Sequence, residues 1–122
     1  MPGRSLLVAA ALSLLLVGPA LAASSGRLSP KDIQATFFTG EPFTAATPAN
    51  VKYKMVFTPD GKMTREPLDK EGTKYEGTWK LSKDGFCSTW QGSKQHCYRV
   101  TPSGDNKWAV VVSTQAVAYW SK

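Results

Sequence analysis

The sequence predicts an all-β fold: an antiparallel meander of about seven short strands, forming a small barrel or sandwich and preceded by one short N-terminal helix. Three observations carry this reading. From Val51 onward apolar and polar residues alternate with a period of two. Turn residues recur between the strands, as Pro59-Asp60-Gly61, Ser82-Lys83-Asp84-Gly85 and Gly92-Ser93. Between the leader and Val51 there is a single, short helical signal.

Residues 1–22 read as a cleaved secretory signal peptide. Arg4 is the only charge in the first 26 residues, an apolar run covers residues 6–17, and Gly18-Pro19 followed by Ala20-Leu21-Ala22 supplies a helix break and an A-x-A end. The apolar run is too short for a membrane span, which takes about 20 residues. Residues 23–28 then form a flexible start, and residues 29–122 form a single β domain. The expected location is the periplasm or the extracellular space.

The elements follow in order. Ser29-Pro30-Lys31-Asp32 is a helix entry: a capping serine, proline at the first helical position and an acid in the first turn. Ile33, Phe37 and Phe38 form its apolar face, and Thr39-Gly40 ends it. Residues 43–50, with Pro42 and Pro48, read as a loop or a weak edge segment. Val51, Tyr53, Met55 and Phe57 then make one face of the clearest strand. Residues 63–66 return from the Pro59-Asp60-Gly61-Lys62 turn. Tyr75, Gly77, Trp79 and Leu81 share the next face, and Asp84-Gly85 turns into a hairpin of residues 86–91 and 95–100. With Cys87 opposite Cys97, Phe86 pairs with Tyr98 and Trp90 with Lys94; Phe86, Ser88, Trp90, His96, Tyr98 and Val100 then share a face. Residues 101–106 read as a long turn, and residues 107–113 and 116–120 as the last strands.

Cys87 and Cys97 are the only cysteines, and an even count in a short exported chain implies a disulfide. Removal of Arg4 with the leader leaves 14 basic against 9 acidic residues, a net charge of +5, from the 15 and 9 of the whole chain. That sign favours an acidic partner. Catalytic sets are mostly absent from the pattern. His96 is the sole histidine, inside the disulfide hairpin, and no nucleophile elbow, zinc ligand set, haem motif or phosphate loop occurs. Asp69 and Glu71 sit among Lys70 and Lys74 on a Gly-bounded loop, which suits solvation better than glycoside chemistry. No cofactor and no metal are expected, and no nucleic acid.

The aromatic residues divide. Trp79 and Trp108 lie level with other apolar residues and read as core. Trp90 beside the hairpin tip and Trp120 at the C-terminus are the candidates for exposure, and hence for stacking on a ligand. Lys52, Lys54, Lys80 and Arg99 fall on outward faces and form a basic stripe if their strands are neighbours. Trp90, Trp120, Lys52, Lys54 and Arg99 are therefore the candidate ligand-binding residues.

The pattern Gly77-Thr78-Trp79, Cys87-Ser88-Thr89-Trp90, Cys97-Tyr98 resembles small exported proteobacterial proteins of unknown function, in which a Gly-x-Trp strand precedes a Cys-x-x-Trp…Cys hairpin. The resemblance covers residues 32–121; it implies a periplasmic or secreted β domain and supplies no catalytic residues. Gly-x-Trp also resembles lipocalins, but there it lies near the N-terminus, and 100 residues scarcely enclose a ligand cavity. Periplasmic lysozyme inhibitors are similar in size, yet a +5 domain is mismatched to their cationic target.

The sequence thus reads as a non-catalytic secreted or periplasmic binding or accessory module, for an anionic envelope polysaccharide or surface. The alternative is an inhibitor or protein-interaction module, acting on another envelope protein through the loop of residues 91–94. A small hydrolase would need a cleft that gathers His96 with an acid and a hydroxyl.

Overall fold

The computed structural model describes residues 26–69 and 72–122. The signal-peptide reading of residues 1–22 and the first half of the flexible start lie outside them. Helix α1 (Pro30–Phe37) leads into eight strands: β1 (Phe43–Ala46), β2 (Lys52–Phe57), β3 (Lys62–Pro67), β4 (Tyr75–Leu81), β5 (Phe86–Trp90), β6 (Gln95–Gly104), β7 (Lys107–Val112) and β8 (Gln115–Ser121). Each pairs antiparallel with the next, and β8 pairs back onto β1 to close a barrel. No helix among the described residues is long and apolar enough to cross a membrane.

The strand count expected from sequence falls one short, because residues 43–46, read as a loop or a weak edge segment, form the fully paired strand β1. Phe43 and Thr44 favour strands, whereas Ala45, Ala46 and the flanking Pro42 and Pro48 do not. The strand is held by ladders on both sides, Phe43 to Met55 on β2 and Ala45 to Trp120 on β8. Pairing on both edges outweighs propensity, and closure removes the open edges that a sandwich would leave. A second difference lies in β6, which continues through Thr101 and Pro102 to Gly104. A register shift beside Pro102 tolerates the missing N–H, so only Asp105 and Asn106 turn the chain, with Asn106 in the left-handed region.

Helix α1 closes one end of the barrel. The Ser29 hydroxyl accepts from the Asp32 amide at 3.1 Å, which caps a helix too short to persist alone. Tertiary packing supplies the rest. Phe37 is fully buried and meets Phe43, Trp108 and Trp120 edge-on, with ring centroids 4.8–5.0 Å away. Phe38 stacks on Phe57 at 4.7 Å and leans on Trp79 at 4.4 Å. The helix end is tied to the barrel by Gly40 N–H to Phe57 carbonyl, 2.8 Å, and by the Lys122 ammonium on the Thr36 carbonyl, 2.6 Å. The indole N–H of Trp79 donates to the Thr58 carbonyl at 2.9 Å at this same end.

The disulfide joins Cys87 to Cys97, directly opposite each other on β5 and β6, in the register expected from sequence with Phe86 across from Tyr98. It clamps the hairpin that carries Trp90 at its far end.

Truncating Phe37 to Ala is expected to lower the unfolding free energy by about 3–5 kcal/mol, the usual loss for a buried phenylalanine. Truncating the exposed Tyr119 on β8 should cost under about 1 kcal/mol. Urea unfolding of the two variants checks this, and equal losses would contradict the packing described.

Candidate functional site at the open end of the barrel

With α1 across one end, the connections β1–β2, β3–β4, β5–β6 and β7–β8 gather at the other. An eight-stranded barrel has an interior just wide enough to fill with side chains or to hold one small ligand. Here the half nearer the helix is filled by phenylalanine and tryptophan, and the other half is not. A cavity of about 200 Å³ lies there, lined by Ala45, Ala46, Tyr53, Met55, Arg65, Ser88, Trp90, Tyr98, Val110, Ala118 and Trp120 among others. Small residues on β1 and β8 leave this space.

Arg65 is the unexpected member of this set. It follows Met63 on β3 by two positions, and Met63 is 1% exposed, paired with Phe57. The pleat therefore turns Arg65 inward as well. Its guanidinium carbon lies 4.5 Å from the Trp90 ring centre, 4.9 Å from Tyr75 and 5.4 Å from Tyr53. All three are within the range of cation–π attraction. Its Nε is buried and has no hydrogen-bond partner. Among the described residues no carboxylate lies within 4 Å of it.

Gly77 makes this arrangement possible. Arg65 on β3 and Trp90 on β5 are separated by β4, where Gly77 lies opposite Trp90 between the inward-facing Tyr75 and Trp79. A Cβ at Gly77 would come within 2.5 Å of the Thr89 carbonyl and 2.7 Å of the Met63 Cε. The bare backbone lets the β4–β5 pair approach closely, and cation and indole meet across it.

The rim adds charge and apolar surface. Lys52, Lys74 and Lys94 are exposed around the opening, against Asp69. Val51, Leu68 and Tyr75 leave 45–49% of their surfaces exposed there. On the outer wall Lys54 pairs with Glu66 at 3.0 Å. That hydrogen bond and the Lys54 charge hold the Glu66 carboxyl below its ordinary value, so the two charges remain engaged with each other.

The residues singled out from sequence distribute unevenly. Trp90 lines the cavity under Arg65. Trp120, a candidate for partial exposure, is 3% exposed and packs between Phe37, Phe43 and Phe86, because it faces the barrel interior. Lys52 and Lys54 lie on β2, Lys80 on β4 and Arg99 on β6. Other strands intervene in each case, so no basic stripe forms. The Arg99 guanidinium instead donates to the carbonyl of Ser113, whose left-handed turn it secures. His96 is exposed, opposite Ser88 in the β5–β6 ladder. Asp69 is exposed, and its sequence partner Glu71 lies outside the described residues. Among the described residues no cluster of three or more His, Cys, Asp and Glu is placed to hold a metal ion.

Comparison of the chain with protein-family models, with curated proteins and with solved structures finds no match.

Gly77→Ala should lower stability by about 1–3 kcal/mol, the usual consequence of overpacking, and should alter the Trp90 environment. Denaturant unfolding with near-ultraviolet circular dichroism checks both, and an unchanged spectrum with wild-type stability would contradict the close approach.

Proposed function

We propose that the protein is a non-catalytic binding or accessory module of the periplasm or the extracellular space, holding an acidic group of its ligand against Arg65 in the open end of the barrel. One observation carries the reading: a cation turned into an aromatic cup, with a cavity beside it and no carboxylate from the described chain to meet it. Bringing a guanidinium out of water is costly unless its donors are engaged. Three rings offset part of that cost through its faces. They leave the in-plane N–H groups for an acceptor from outside, since those donors, not the faces, make the strong charge-assisted bonds to carboxylate.

Other features support the same reading. The lysines of the rim attract an anion before contact. A disulfide fits an oxidising compartment. Acidic envelope polysaccharide is one source of such a group, and smaller organic acids are another.

Intrinsic tryptophan fluorescence tests the proposal on a panel of acids comprising polygalacturonate, benzoate and dodecanoate. At least one acid should bind, more weakly as salt rises from about 0.05 to 0.3 M. Arg65→Gln should weaken it by about tenfold or more, the equivalent of one charged hydrogen bond. Lys62→Gln, on the helix-capped side, should leave it unchanged. Failure of every acid to bind, or binding that survives Arg65→Gln, would overturn the proposal.

A further inference from the structure

We infer that the acidic group enters on a compact, flat and apolar body, so that the preferred ligand is a monocarboxylate about the size of one aromatic ring. This rests on the reading that Arg65 receives an anion, and adds the chemical class of what it receives.

Size sets the first limit. The cavity holds about 200 Å³. An apolar cavity of about 150 Å³ is enough for benzene, whereas drug-sized ligands occupy roughly 300–1,000 Å³. One ring with its carboxylate fills that space.

The walls set the second. Tyr53, Trp90, Tyr98 and Trp120 present rings, and Met55 and Val110 present apolar groups. Flat aromatic walls favour an offset or edge-on ring between them. The Arg65 guanidinium is the one charged group of the lining, beside the hydroxyls of Thr47, Tyr53, Ser88 and Tyr98 and the indole N–H groups of Trp90 and Trp120. Ring and alkyl surface makes up most of the rest, so a flat apolar body meets more of the wall than a sugar ring would.

Charge sets the third. One guanidinium matches one carboxylate, in a planar and often bidentate pair. A second negative charge would be desolvated without a partner. The apolar rim of Val51, Leu68 and Tyr75 offers the same kind of surface at the entrance.

Calorimetric titration of the wild-type protein tests the class directly. Benzoate should bind at least about tenfold more tightly than benzyl alcohol, its neutral counterpart, and than acetate, which lacks the body. It should also bind more tightly than dodecanoate. Ala118→Leu, which fills the cavity, should abolish benzoate binding, and Arg65→Lys should weaken it while keeping the charge. Equal affinity for benzoate and benzyl alcohol overturns the inference, as does tighter binding of dodecanoate or of acetate. If polygalacturonate binds through Arg65 and benzoate does not, the ligand class falls while the binding function stands. If neither binds and dodecanoate also fails, both fall.

Discussion

Two adjacent phenylalanines at the end of α1 decide how the barrel is used. Phe37 and Phe38 reach opposite parts of the interior and together touch rings from β1, β2, β4, β5, β7 and β8. Each buried ring contributes about 1.5–3 kcal/mol, and the set gives a small domain most of its core. The contact is also directional. A barrel filled from one end concentrates its bulk there, and four of its connections are left around an unfilled opening. The helix lies far from that opening, yet it determines which end of the barrel stays open.

The polar side of the account follows from that asymmetry. At the filled end, the Trp79 indole finds a backbone carbonyl and Lys122 finds another. At the open end, Arg65 has rings for its faces and a buried Nε with no partner. An unengaged donor of this kind costs about 1–3 kcal/mol. Gly77 belongs to the same arrangement: without its missing side chain, β3 and β5 could not bring cation and indole together across β4.

Much of this was legible in the sequence where a local rule was sufficient. The alternation of Tyr53, Met55 and Phe57, the capped helix at Ser29, and the pairing of Phe86 with Tyr98 across the disulfide each depend on near neighbours. β1 was not legible, since Thr44, Ala45 and Ala46 become a strand only through partners on β2 and β8. Trp120 was misplaced for the same reason, because chain-end position says nothing about closure. The outward lysines were sound individually, but their adjacency depends on strand order. Arg65 had a signal that could have found it. The Pro59-Asp60-Gly61 turn sets Met63 opposite Phe57, and two residues further an arginine must share that inward face. A charge on the inward side of a strand is the signal that sets Arg65 apart from its apolar neighbours.

The most direct measurement of this account is the shift of the four indole N–H resonances on addition of benzoate to the labelled protein. A barrel capped by Phe37 and Phe38 and receptive at Arg65 predicts the largest movement at Trp90, a smaller one at Trp120, and little at Trp79 and Trp108, which face the helix. Movement centred on Trp79 or Trp108, with Trp90 unmoved, would place the ligand at the wrong end and contradict it.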